Sequence, residues 1–266
     1  MRDNNFVYAA GTTQHAPFQV IDDLVALGFP GNVAVAYDIQ FHRYLVAGDR
    51  VHHFKTVESI SELKITALGE GYFFTDREEY FDQNDELFAE AKITYFQYRP
   101  TNPKPAKINV GQPATSPVDT DLNLEVVAPH FDLHSSRSGD GLPRKEVPIT
   151  HALIVGGALA GQDFTAVHHN LPAAQAAGTQ DIFMNILTTG GLTTSYLTGW
   201  AGPSCRLERL VLKLMGPNFP GDTMVYSGAI DTLQQTTDGV SVEVSFAGHN
   251  ARGPHVTGCA TLQIGT

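Results

Sequence analysis

Cysteine is almost missing from this chain: two in 266 residues, Cys205 and Cys259. Two cysteines cannot make a disulfide framework, and a reducing cytoplasm is the compartment expected. Basic residues are also scarce. Seventeen Lys and Arg face 28 Asp and Glu, a formal net charge of −11. That excludes nucleic acid as a main partner, which would ask for a basic stripe. No stretch approaches the roughly 18 uninterrupted apolar residues of a membrane helix, so no membrane association is expected. The opening MRDNNFVYAAG lacks the apolar core of a secretion signal. Adjacent His pairs, His52–His53 and His168–His169, diverge in side-chain direction and have no His-x3-His or carboxylate support. They make no metal site. VGGALAG (155–161) lacks the Gly-x-Gly-x-x-Gly order and reads as close strand packing, and no Gly-x-Ser-x-Gly elbow occurs. No cofactor is expected.

What is present is apolar periodicity. PFQVIDDLVALG predicts a helix from near Pro17 to just before Gly28. NVAVAYDIQF, the segment entered after Gly48–Asp49, GYFFTDREEYF and ELFAEAKITYFQYR alternate like antiparallel strands. Residues 100–121 carry five prolines and read as a surface linker, and HSSRSGDG (134–141) as a second loop. VPITHALIVGGALA is then expected to be a strand. DIFMNILTTGGLTTSYLTGW is expected to be a helix with Asp181 as its N-cap, weakened by Gly190–Gly191. RLERLVLKLMG, TMVYSGAIDTLQQT, GVSVEVSFAG and HVTGCATLQIG supply the last strands.

The order repeats. Gly-Asp stands just before a strand in YLVAGDRV (44–51) and in NFPGDTMV (218–225), each time after a helix and a strand and before a long hairpin. A sheet with one apolar face needs a helix to cover it. The expected fold is α+β, a double hotdog: two helix-wrapping antiparallel sheets joined side by side. The expected divisions are 1–105, a linker at 106–137, and 138–266.

Chemistry concentrates in GQDFTAVHHNLPAAQAAGTQDIFMNI (161–186). Asp163 stands five residues before His168, on a loop that precedes a helix. A carboxylate and an imidazole can divide the general acid and base work of adding water to an activated double bond. A helix N-terminus offers N–H groups to the oxyanion that develops. Taken alone, an Asp here also reads as a helix cap. Gly161, Asp163, His168 and Ala174 together resemble the signature of the MaoC-like (R)-specific enoyl-CoA hydratases, with Thr165 and Ala166 where that family usually has Asn and Pro. DFTAVHHN…GTQDIFMNILTT resembles the catalytic subunit of the steroid side-chain enoyl-CoA hydratases of steroid-degrading bacteria. FHRYLVAGD, ESISELKITALGEG and FAEAKITYFQYRP resemble their non-catalytic partner, so the chain looks like both subunits fused.

The resemblance implies several things. Asp163 and His168 would hold and activate a water. The N–H of Ile186 would serve the thioester carbonyl in Asn185-Ile186-Leu187, where the family carries His-Gly-Met. Asn185 and His169 would line the substrate site. The substrate would be a bulky acyl-CoA, the first half a non-catalytic scaffold whose short helix leaves room for it, and the assembly a homodimer, with a downstream aldolase as a further partner. Arg99, Lys104, Lys107, Arg206, Arg209 and Arg252 are the cations available to CoA phosphates. A hotdog thioesterase and a non-catalytic acyl-CoA binder are the alternatives.

Overall fold

The computed structural model describes residues 16–101, 131, 132 and 134–265. Most of the proline-rich linker, including Lys104 and Lys107, lies outside them. Ten strands form one antiparallel sheet. The first half contributes helix α1 (Ala16–Ala26) and strands β1 (Gly31–Phe41), β2 (His52–Ile60), β3 (Lys64–Thr66), β4 (Gly69–Phe81) and β5 (Leu87–Pro100). The second contributes β6 (Gly141–Pro148), helices α2 (His151–Ala160), α3 (Leu171–Ala176) and α4 (Ile186–Ala201), then β7 (Cys205–Leu214), β8 (Thr223–Thr236), β9 (Gly239–Asn250) and β10 (Gly253–Ile264). The order across the sheet is β2-β4-β5-β1-β7-β10-β9-β8-β6, with β3 on β4. Outward from the centre, β1, β5, β4 and β2 mirror β7, β10, β9 and β8. This is the repeat expected from the sequence.

The seam is β1 against β7, from Ala36 opposite Lys213 to Gln40 opposite Arg209. Arg209 crosses it with a fork on Asp38, 2.9 and 2.7 Å. Tyr44 reaches over to both backbone groups of Leu207: its hydroxyl donates to the carbonyl (3.0 Å) and accepts from the N–H (2.7 Å). The two Gly-Asp turns are built alike. Gly48 and Gly221 take left-handed φ values of 105° and 89°, open to glycine without a Cβ clash. The aspartates then accept from the N–H three residues back, Val46 and Phe219, and each pairs with an arginine: Arg43 bridges Asp49 and Asp82, and Arg252 forks Asp222.

In the second half α4 lies on the sheet. Ile186, Thr189, Gly190, Thr193, Tyr196, Leu197, Trp200 and Ala201 are buried along one face, the i, i+3, i+4 stripe of a helix against a core. Gly190 lets the helix approach β1 closely, because a Cβ there would stand 3.0 Å from the Tyr37 ring. Of the glycine pair that weakened the sequence argument, Gly190 therefore serves close approach, while a Cβ at Gly191 would meet nothing within 4 Å. The first half has a much smaller core, with Leu24 and Phe29 packed on Phe74.

Two expectations are corrected. VPITHALIVGGALA is not a strand: β6 ends at Pro148, and α2 follows. Thr150 caps it by accepting from the Leu153 N–H. Gly157 packs this helix on α4, since a Cβ there would meet the Thr188 hydroxyl at 2.2 Å, so of the Gly-Gly pair Gly157 serves helix packing and not strand packing. Asp181 does not cap α4. Its carboxylate accepts from the next residue, Ile182, and the Met184 N–H is taken by the Asn218 carbonyl, which keeps this segment out of the helix. Asn185 is the cap, accepting from the Thr188 N–H at 2.8 Å.

Candidate functional site

Three short elements meet at the head of α4. The first is the exit of α2. Gly161 ends the helix, Gln162 takes a left-handed φ of 54°, and the Asp163 N–H returns to the Ala158 carbonyl at 2.9 Å. That turn aims the Asp163 side chain back toward α4. The second is a single 3₁₀ turn, Ala166–His168, which carries His168. The third is the Asn185 cap.

The geometry is close. His168 Nε2 stands 3.3 Å from Asp163 Oδ2. Its Nδ1 lies 2.7 Å from the Phe183 carbonyl, which only accepts, so Nδ1 carries the hydrogen. The same Phe183 sets its ring edge-on to the imidazole, centroids 5.0 Å apart. Asn185 Nδ2 donates to Asp163 Oδ2 at 3.0 Å, while Thr165 donates its hydroxyl (2.6 Å) and its N–H (3.2 Å) to Oδ1. His168 is buried and Asn185 is fully enclosed. Burial works to raise the Asp163 carboxyl. The hydrogen bonds from His168 and Thr165, the charge of a protonated His168 and the Asn185 amide outweigh it, and hold Asp163 well below the usual carboxylate range.

A cleft of about 390 Å³ opens beside Asp163, lined by Val155, Ala158, Leu159, Phe164 and His169. The N–H groups of Ile186 and Leu187 head α4 and have no partner among the described residues, as the first turn of a helix leaves them. The Ile186 side chain itself is core. Ala174 is fully enclosed in α3, and Thr179 bonds its carbonyl through hydroxyl and N–H. Asp163, His168, Asn185 and the Ile186 N–H thus come together, with His169 on the cleft wall. The Asn185 amide and the Thr165 hydroxyl as donors to Asp163 were not foreseen. Thr165 being an Asp-x-Thr hydroxyl was the available signal.

The CoA cations do not gather here. Arg99 pairs with Glu70 and stacks on Phe29, Arg206 pairs with Glu208, Arg209 with Asp38 and Arg252 with Asp222. Among the described residues no group of three or more His, Cys, Asp or Glu is placed to hold a metal ion, and no helix is long and apolar enough to cross a membrane.

Two helix-covered sheets fused edge to edge, with the chemistry-bearing groups at the head of one helix, define a double hotdog fold. Solved structures carry the same fold. A MaoC-like dehydratase superposes with a TM-score of 0.68 at 18% identity, over 90% of this chain and 78% of its own. A Mycobacterium tuberculosis protein with a double hotdog fold superposes with a TM-score of 0.60 at 17% identity, over 94% of this chain and 82% of its own. No protein-family profile matches the chain. In sequence it is 39% identical over 126 residues to the 3-oxo-4,17-pregnadiene-20-carboxyl-CoA hydratase beta subunit of Mycobacterium tuberculosis, covering 47% of this chain and 95% of that subunit. The chain belongs to the MaoC-like enoyl-CoA hydratase family, whose members are hydro-lyases.

Proposed function

We propose that this chain adds water across the α,β double bond of a bulky enoyl-CoA, a steroid side-chain thioester above all, and that Asp163 and His168 hold the water. One observation carries the reading: His168 Nε2 stands 3.3 Å from Asp163 Oδ2, and Asp163 lines a cleft. Nδ1 keeps its hydrogen on Phe183, so when Nε2 gives up its proton its lone pair faces the same space as the Asp163 carboxylate. A water that donates one hydrogen to each satisfies both and points its oxygen outward. The oxygen bonds to the β-carbon, its proton passes to the Asp163–His168 pair, and the pair returns a proton to the α-carbon. Negative charge that gathers on the thioester oxygen in between falls to the Ile186 N–H, backed by the positive end of α4. His169 lines the acyl path. The absence of a glycine at position 186 is no obstacle, because a backbone N–H is the donor.

The steroid substrate is supported by the 39% identity to a subunit whose name gives a pregnadiene carboxyl-CoA. In the same reading the chain works in the cytoplasm as a homodimer, with a downstream side-chain aldolase as partner.

The test offers the full chain a series of trans-2-enoyl-CoA thioesters, from four carbons to steroid side chains, and follows the loss of enoyl absorbance. Free thiol is measured in parallel. Hydration that rises with acyl bulk supports the reading. Thiol release without hydration would make the chain a thioesterase, and neither reaction would leave it a binder.

A further inference from the structure

The helix-side face of the first half holds ionisable groups that hydration does not use. Along β4, Phe74, Asp76, Glu78 and Tyr80 alternate onto one face, as strand geometry requires. The core under α1 ends at Phe74 and its neighbours Tyr72 and Tyr95; the next residues on the same face are the two carboxylates. Asp76 is 1% exposed and Glu78 8%. Lys55 of β2 bonds both, 3.3 Å to Asp76 Oδ2 and 2.7 Å to Glu78 Oε1, and the Tyr80 hydroxyl donates to Glu78 Oε2. The second oxygen of Asp76, Oδ1, is buried and meets no donor among the described residues. A buried acceptor left in that state is costly, and its retention points to a donor that the described residues do not supply.

Tyr95 packs against this cluster. Its ring stacks on Phe74 with centroids 5.0 Å apart, and Lys55 Nζ lies 5.9 Å from its centre. Burial raises the Tyr95 phenol, Lys55 opposes, and Asp76, Glu78 and Asp163 add to the rise. One hydroxyl therefore feels the carboxylates of both halves.

We propose that Asp76 Oδ1, backed by the Lys55–Glu78 pair, is a subsite that accepts a hydrogen bond from a hydroxyl group at the far end of the acyl chain. This rests on the hydratase reading given above. Lys55 already pairs with both carboxylates, and a neutral hydroxyl satisfies Oδ1 without burying a further ion.

The experiment uses trans-2-enoyl-CoA thioesters of eight to sixteen carbons, each with and without a terminal hydroxyl. For wild type we expect one chain length at which the hydroxylated member has roughly tenfold higher kcat/KM, the worth of a hydrogen bond to a charged acceptor. In Asp76→Ala that ratio falls to about one, and in the isosteric Asp76→Asn it falls several-fold. The ratio does not depend on how much of a variant is folded. If wild type hydrates both members equally at every length, solvent serves the buried oxygen: the subsite is lost and the hydratase reading stands. A preference that survives both substitutions also overturns it. Hydration of neither member sinks both.

Discussion

The two halves of the sheet share an order of strands and a turn device, yet they differ in what covers them. In the second half a 16-residue helix, capped by Asn185, seals a continuous core from Ile149 to Ile264. In the first half the described part of α1 packs Leu24 with Phe29 and Phe74, and beyond these the face turns to Asp76, Glu78 and Lys55. The same fold therefore carries a well-supported helix head on one side and a polar-lined face on the other. Precise placement of Asp163 and His168 demands the former. Two helices and a cap support that head: α2 ends at Gly161, packs through Gly157 on Thr188, and delivers Asp163 to the Asn185 amide.

The comparison can be broken most strongly at the proposed catalytic pair, Asp163 and His168. Asp163→Asn or His168→Ala is expected to lower kcat by roughly 10²- to 10⁴-fold, with the melting temperature retained. His52→Ala, on the exposed edge of the first half, leaves kcat unchanged. Next comes a pH effect confined to the second half. His255 is buried, its Nδ1 donates to the Gly216 carbonyl at 2.6 Å and its Nε2 faces the Thr189 hydroxyl at 2.9 Å. Burial pushes its pKa down to about 4. The unfolded chain then binds a proton that the folded chain does not, so stability is full above about pH 6.5 and falls as the pH drops toward 4. The loss is on the order of 3 kcal/mol at pH 4. Urea melts across that range check it, and His255→Gln should flatten the slope.

A smaller effect sharpens the role of the α2–α4 contact. Gly157→Ala puts a Cβ on the Thr188 side chain and is expected to cost about 1–3 kcal/mol together with a loss of kcat. Gly156→Ala, one residue away with nothing within 4 Å, should instead stabilise by about 0.5–1 kcal/mol. Equal effects in thermal melts would show that the two helices are not in register as described. Least of all, Arg209→Ala breaks the fork on Asp38 across the seam. Both partners are partly exposed, and the expected cost is below about 1 kcal/mol in urea melts.

Much of this was legible in the residues. The alternating strands lie where their patterns put them, because each has one face on a core and one on solvent. The repeated Gly-Asp was legible because the turn needs a left-handed glycine and a carboxylate in both halves. Helix α2 was not. HALIVGGALA is apolar all round, and a short apolar run does not distinguish helix from strand; only Thr150 signalled it. Asp181 and Asn185 are both capping residue types four positions apart, and the choice between them is made by Asn218, 34 residues downstream, which takes the Met184 N–H. The spacing of Asp163 and His168 was plain in the sequence. The Asn185 donor, 22 residues from Asp163, and the Phe183 carbonyl that fixes the tautomer become visible only once the chain is folded.

The central claim is that Asp163 and His168 act as one device on one water. A double-mutant cycle on kcat with trans-2-enoyl-CoA tests it most directly. Groups that work as a unit are strongly non-additive, so Asp163→Asn/His168→Ala is predicted to lose no more than the worse of the two single variants. A double variant whose loss equals the product of the single losses would contradict the account.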